Sequence, residues 1–465
     1  MNKLHCLNIF LVTLAVCFFK EGKSEERPNI LFILTDDQSQ IDVGAYGHPV
    51  LKTPNIDQLG KEGMRFNNAF TSTAMCVPSR SSLFTGLHPM RHGAHPNHSN
   101  IKEGVVGIGK YLDSLGYQVG IIGKIHVKPI SAFGFDLHKE LLDYAWDSKL
   151  TKEEIQIAMD SLAASGNPFV LFVCIANPHT PWPGDWKGDI NQISLPPYLL
   201  DIPITRETVS NYYAHVEFAD RKVGEVISVA KDLGLYEDLM VFFSSDHGAV
   251  FPHGKYNLYD AGIKVPFIVR WPGKITAGSK NEALIQFVDV LPTLIDIAGD
   301  EPNGYLDGKS ILPLLFNEKQ AIHKYIYATS SKDRTKTDYP IKAVRSKRYK
   351  YIINTEHQEV YTSWITDTDS TMRKKNPAKY HRQFGYWPVW KERSETDRTA
   401  NFLVDAYLNR PKAEFYDLQN DPYELENLIH SAELNEVKEE MKKKLEEWMI
   451  DQKDIHYSKG LFARD

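Results

Sequence analysis

The chain has 465 residues, 42% of them hydrophobic and 25% charged. This is a globular composition that excludes a disordered, collagen-like or coiled-coil chain, and the length predicts one large domain plus a smaller one. With 54 Lys+Arg against 60 Asp+Glu, a net charge of −6, it is not a nucleic-acid binder by bulk charge, and an anionic substrate needs positive charge gathered locally.

The first element in chain order is a leader. Lys3 precedes an apolar run over residues 4–19, broken by His5, Asn8 and Thr13, and a polar stretch follows to Ser24. The run is short for a membrane span and sits where a secretory signal peptide sits, so residues 1–24 read as a signal peptide. Leu14-Ala15-Val16-Cys17 resembles a lipoprotein cleavage site, but Val16 is large for its position, so anchoring at Cys17 ranks second. No other stretch is apolar and long enough to span a bilayer. The expected location is periplasmic or secreted in a bacterium, lysosomal in a eukaryote. Cys6 and Cys17 leave with the leader, and the remaining pair, Cys76 and Cys174, is no disulfide scaffold.

Apolar runs follow at residues 29–34, 118–122, 169–175, 239–243 and 266–269. Runs apolar on both faces mark strands covered by helices on both sides. Helical patterns at 55–63, 106–114 and 211–232 alternate with them, which predicts an α/β fold with a mostly parallel sheet sandwiched by helices. Cys174, inside one such run, reads as a buried, inert thiol. After residue 316 the texture changes. Strands at 325–329, 349–354 and 415–418 precede a helix at 432–451 that carries Leu434, Val437, Met441, Leu445 and Trp448 on one stripe. The reading is a catalytic domain over 25–319 and a C-terminal subdomain over 320–465, with a small antiparallel sheet and a terminal helix.

In parallel sheets the chemistry sits beyond the carboxyl ends of the strands. There the sequence places Asp36-Asp37, Gly123-Lys124-Ile125-His126, Asn177-Pro178-His179 and Ser245-Asp246-His247-Gly248. Asp36, Asp37 and Asp246 supply oxygens for a hard divalent cation, and His247 could add a nitrogen. Lys124, His126, His179 and Lys255 are cationic or proton-carrying. A metal, Arg80 and two lysines around one point form a receptacle for a tetrahedral oxyanion. Pro78 and Gly86 frame a short helix with Cys76 near its N-terminus, where a nucleophile faces partial positive charge.

Cys76-Val77-Pro78-Ser79-Arg80, extended by Thr85-Gly86, resembles the C-x-P-S-R signature of the type I, formylglycine-dependent sulfatases. Similarity continues at Arg27-Pro28-Asn29-Ile30, Thr53-Pro54-Asn55-Ile56-Asp57, Gly63-Met64-Arg65-Phe66 and Asp417-Leu418-x-Asn420-Asp421-Pro422, across nearly the whole mature chain. The resemblance implies an alkaline-phosphatase-like fold and a sulfuric ester hydrolase. It implies that a formylglycine-generating or anaerobic sulfatase-maturing enzyme oxidises Cys76 to formylglycine (3-oxoalanine), whose gem-diol attacks sulfur. It further implies one Ca2+ held by Asp36, Asp37, Asp246, His247 and the modified residue 76. Arg80 and Lys124 would support the diol, His126 would take a proton during collapse, Lys255 would bind sulfate, and His179 would protonate the leaving atom. Related phosphatases use two zinc ions, but the second would fall near Lys124 and Lys255, where like charges repel. A phosphonate or phosphate ester hydrolase and a non-catalytic anion-binding relative are the remaining alternatives.

Gly120-Ile121-Ile122-Gly123-Lys124, Asn257-Leu258-Tyr259 and Tyr339-Pro340-Ile341-Lys342 are similar to the sulfamidase (N-sulfoglucosamine sulfohydrolase) branch and bacterial polysaccharide sulfatases near it. One glycosylation sequon, Asn97-His98-Ser99, and the lack of a disulfide scaffold favour a bacterial enzyme acting on O-sulfates of a polysaccharide such as ulvan. N-sulfate hydrolysis on heparan-type glycans is the second reading. No nucleic-acid partner is expected. Residues 372–393 are rich in cations and aromatics, so Arg373, Lys374 and Lys375 are expected to hold glycan sulfates or uronates, unless the stretch is a solvated loop with its aromatics packed beneath the small sheet. His98, Trp182 and Trp186 are further substrate-binding candidates.

Overall fold

The computed structural model describes residues 27–144, 146, 148–331, 338–366 and 382–462. The expected leader with Cys17, and Arg373, Lys374 and Lys375, lie outside the described residues. The apolar runs become strands of one sheet: β1 Ile30–Thr35, β2 Met64–Phe70, β3 Gln118–Gly123, β4 Leu137–Glu140, β5 Phe169–Cys174, β6 Met240–Ser245, β7 Phe267–Arg270 and β8 Lys280–Gln286. Their order is β4-β3-β5-β1-β6-β7-β2-β8. Every pairing is parallel except those of β7, which runs antiparallel to both β6 and β2. An apolar run fixes that a strand is buried but not its direction, so this one reversal was not readable beforehand.

The two-residue period of β1 explains the layers. Ile30, Phe32 and Leu34 point into one apolar cluster with Phe84, Leu291 and Leu294, while Leu31 and Ile33 point into another with Leu59, Ile155 and Val226. Helices therefore cover both faces: Cys76–Thr85 and Val290–Ile297 on one side, Pro54–Glu62, Lys152–Ala163 and Pro203–Asp232 on the other. Phe32 stacks between Phe172 and Phe242 at centroid distances of 5.3 and 5.5 Å. Full burial of each such ring contributes about 1.5–3 kcal/mol. The helix expected over 211–232 begins earlier, at Pro203, whose ring suits a first helical turn.

A second sheet follows: β9 Ile326–Ser330, β10 Ile341–Arg345, β11 Tyr349–Asn354 and β12 Ala413–Asp417, in the order β12-β11-β10-β9 and antiparallel throughout. The helix Asn435–Asp451 lays Met441, Leu445 and Trp448 on Val344, Tyr351 and Phe415. The opposite face shares an apolar cluster with the first sheet, in which Phe70 and Leu284 join Ile341, Ile352 and Trp387. This is the alkaline-phosphatase-like arrangement of a mostly parallel sheet between helices with a smaller antiparallel sheet beside it. No helix among the described residues is long and apolar enough to cross a membrane.

Candidate active site

Four adjacent strands, β3-β5-β1-β6, deliver the predicted residues to one place. β1 runs out into Asp36 and Asp37, and β6 into Asp246 and His247. The Asp246 N–H donates to Thr35 O at 3.0 Å, which ties the two strand ends together. Lys124 N–H donates to Cys174 O at 2.8 Å, just past the end of β3. The turn into Lys124 requires Gly123: its φ is +91°, and a Cβ there would lie 2.0 Å from Cys174 O. Cys174 itself is fully buried, as expected, and burial pushes its thiol up to about 12.

Cys76 opens the helix Cys76–Thr85, and every residue of that helix is buried. Gly86 closes it in the left-handed conformation, φ 65°. Around Cys76 Sγ stand His247 Nε2 at 3.3 Å, Lys255 Nζ at 3.4 Å, Lys124 Nζ at 3.6 Å and Asp36 Oδ1 at 3.6 Å. Burial alone would raise this thiol. The charges of Lys124, Lys255 and His247 outweigh burial and hold it well below its usual range.

The carboxylates are held by the cations. Arg80, one turn after Cys76, donates from Nε to Asp246 Oδ2 at 3.0 Å and from Nη1 to Lys124 O at 2.6 Å. Lys255 donates to both Asp37 oxygens at 2.8 and 2.9 Å, and Lys124 pairs with Asp36. Burial opposes each of these lysine charges, but the facing carboxylates prevail and keep both ammonium groups protonated. Burial, with Asp36 beside it, pushes Asp246 up to about 6. Buried charges persist only when paired this closely.

The residues fit a divalent cation. Asp36, Cys76, Asp246 and His247 form one set, and Asp36, Asp37, Cys76 and His179 another, with ligand atoms in each set within 4.8 Å of one another. The three carboxylates, Asp36, Asp37 and Asp246, supply the oxygens that a hard ion prefers. His247 Nδ1 lies 3.0 Å from Gly248 O, which leaves Nε2 as the nitrogen aimed at the cluster.

A cavity of about 460 Å³ opens above Cys76, walled by His98, His126, His179, Lys255 and Tyr144. His179 Nδ1 is bonded to Thr180 O at 2.6 Å, its ring lies tilted against Tyr144 at 4.6 Å, and its Nε2 faces Asp37 Oδ2 at 3.9 Å. His126 Nε2 meets His98 Nδ1 at 3.1 Å. Burial pushes His126 down to about 4, so its ring is neutral near pH 7 and able to accept a proton. Asp37 (φ 62°), His98 (φ 66°), His126 (φ 54°) and Tyr256 (φ 73°) are left-handed without being glycine. Such strain, on the order of 1–3 kcal/mol per residue, clusters where function constrains the backbone.

The structure brings together Asp36, Asp37, Cys76, Arg80, Lys124, His126, His179, Asp246, His247, Lys255 and His98. It does not bring Trp182 or Trp186 to the cavity, which corrects both as substrate-binding candidates. Trp182 is fully buried, donates Nε1 to Pro178 O at 2.7 Å and stacks on Phe251. Trp186 donates to Glu217 Oε1 at 2.9 Å and packs edge-on against Tyr213. Both indoles have satisfied N–H groups and apolar surroundings, which makes them core residues. Within 372–393, Tyr386, Trp387 and Trp390 likewise are fully buried, while Gln383 and Phe384 reach the cavity wall. Asn97 of the sequon is buried, with Oδ1 accepting Val77 N–H at 3.3 Å, so it is built into the site. Tyr144, Tyr256, Trp364 and Gln383 also line the cavity and were missed. Tyr256 follows Lys255 directly and could have been found. Trp364 and Gln383 arrive from distant chain with no local signal.

Comparison with known proteins agrees with this geometry. Residues 28–300 match the sulfatase family model, and residues 248–384 match that of the N-sulphoglucosamine sulphohydrolase C-terminal region. An ulvan-active sulfatase of Formosa agariphila is 33% identical over 94% of this chain and 82% of its own length. The human N-sulphoglucosamine sulphohydrolase is 25% identical over 93% of this chain and 92% of its own. A solved structure of a protein in complex with its substrate, D-glucosamine-2-N,6-O-disulfate, superimposes with a TM-score of 0.68 at 20% identity, covering 92% of this chain and 99% of the other, which concerns the fold. Motif, geometry and family matches converge, and the chain belongs to the sulfatase family, whose members hydrolyse sulfuric esters.

Proposed function

We propose that the chain hydrolyses sulfate esters of a sulfated polysaccharide, or oligosaccharides from it, of the ulvan type. One observation carries the reading: a buried Cys76 at a helix N-terminus, caged by Lys124, Lys255, Arg80 and three carboxylates below an open cavity. Formylglycine at position 76, made from the cysteine by a maturing enzyme, supplies the nucleophilic hydroxyl. Asp36, Asp37, Asp246 and His247 would hold one calcium ion, which would supply positive charge toward the sulfate oxygens. Arg80 and Lys124 orient the nucleophile, and Lys255 binds sulfate oxygens from its place against Asp37. His126 accepts a proton, and His179 gives one to the leaving oxygen from the cavity side.

The likeness to the ulvan-active enzyme supports the O-sulfate substrate. The match of residues 248–384 to the sulphohydrolase C-terminal region favours N-sulfate cleavage as the second reading. We also read residues 1–24 as an export signal, with 25–319 as the catalytic domain and 320–465 as the subdomain. Assay of purified enzyme on defined O- and N-sulfated oligosaccharides tests the substrate. Turnover confined to N-sulfates would overturn the primary reading, and turnover of neither would overturn both.

A further inference from the structure

A second cavity, of about 530 Å³, opens where the two sheets meet and shares no lining residue with the catalytic one. The segment between them serves both: Lys255 and Tyr256 face the catalytic cavity, Tyr259, Asp260 and Ala261 the other. Its floor is a charge cluster with cations to spare. Arg345 grips Asp260 with Nε at 3.0 Å and Nη2 at 2.9 Å, and Lys350 bonds Asp260 and Glu424, each at 2.7 Å. These two cations balance the two carboxylates. Lys264, half-buried, and Lys347, exposed, also line the cavity, and neither ammonium has a hydrogen-bond or ion-pair partner among the described residues.

The walls complement that charge. Tyr423 is 41% exposed and meets Tyr198 edge-on at 6.1 Å, and Ile41 across the lining is 43% exposed. Two cations without partners among the described residues, beside the exposed ring of Tyr423, make a local positive and partly apolar patch on a chain of net charge −6. We infer that this cavity is a second, non-catalytic binding site for an anionic saccharide unit, with Lys264 and Lys347 meeting its sulfate or carboxylate and Tyr423 packing on its ring. The choice of a saccharide rests on the glycan-sulfatase reading. A chain held there stays anchored while the catalytic cavity turns over another residue of it.

The test uses full-length Cys76→Ala, which cannot consume its ligand, and calorimetric titration with a sulfated oligosaccharide from ulvan. Two binding events are expected. Lys264→Ala/Lys347→Ala on that background should weaken one of them by roughly tenfold, the loss of two charge-assisted contacts. Tyr423→Ala should weaken the same event, and the chemically desulfated oligosaccharide should show less of it. In otherwise wild-type enzyme the double substitution should leave hydrolysis of a small aryl sulfate unchanged and raise KM for the oligosaccharide. Unaltered titrations in the double variant would overturn the site. The sulfatase reading fails by a separate route, through absence of aryl sulfate hydrolysis in the matured wild type.

Discussion

Asp36, Asp37 and Asp246 meet Arg80, Lys124 and Lys255 beneath the catalytic cavity, and Asp260 and Glu424 meet Arg345 and Lys350 between the two sheets. Both clusters are largely buried, and every carboxylate in them faces a cation. Arg345 and Lys350 hold Asp260 well below the usual carboxylate range against burial, and burial lifts Glu424 to about 7. The difference lies in what else is present. The first cluster adds a thiol at a helix N-terminus, a second ligand-bearing histidine and left-handed non-glycine residues. The four residues of the second include no thiol and no histidine, although Glu424 is left-handed there too (φ 57°), and they tie β10 and β11 to the segment after Lys255. A buried ion-pair network alone therefore does not mark chemistry. A nucleophile at a helix N-terminus, with metal-ligating groups around it, does.

Substitutions should separate the two clusters. Cys76→Ala should abolish sulfate ester hydrolysis, a loss on the order of 10⁴-fold or more, while circular dichroism and thermal melting stay close to wild type. Asp246→Ala should lose at least ~100-fold in activity together with bound calcium, read by elemental analysis. A chelator should lower the melting temperature of the wild type and leave that of Asp246→Ala unmoved. Asp260→Ala should do the reverse of Cys76→Ala. It strands Arg345 and leaves Lys350 with Glu424 alone, so denaturant unfolding should show a loss of about 3–5 kcal/mol, with kcat of the folded fraction retained.

A smaller effect concerns Asp42, just past the metal-binding loop. Burial raises its carboxyl to about 7, against an ordinary 3.8, although Tyr212 OH donates to it at 2.8 Å. Between those values the folded state holds a proton that the unfolded chain has lost, so this residue's contribution falls as pH rises through the window. Asp42→Asn removes that penalty. Its melting temperature should exceed wild type by a few degrees at pH 8, and the gap should close toward pH 4. A constant gap across that range would show that the carboxyl does not titrate there.

Much of this was legible in the sequence because it is local. Continuous apolar runs located β1, β3, β5 and β6, and the polar residues directly after them formed the cluster. Pro78 and Gly86 framed the helix that carries Cys76 and Arg80. Long-range packing was not legible. The antiparallel direction of β7 depends on its neighbours, and the burial of Trp182 and Trp186 depends on Tyr212, Phe251 and Glu217 reaching them from elsewhere in the chain. Trp364 and Gln383 join the cavity only because the second sheet packs against the first.

The central claim is that Cys76 is the precursor of the nucleophile. Mass spectrometry of the peptide spanning Cys76, taken from a preparation of measured specific activity, tests it most directly. An aldehyde is expected in place of the thiol, reactive toward hydrazides, in a fraction that rises in proportion to activity across preparations made with and without a maturing enzyme. Full activity in a preparation whose residue 76 is entirely unmodified cysteine would contradict it.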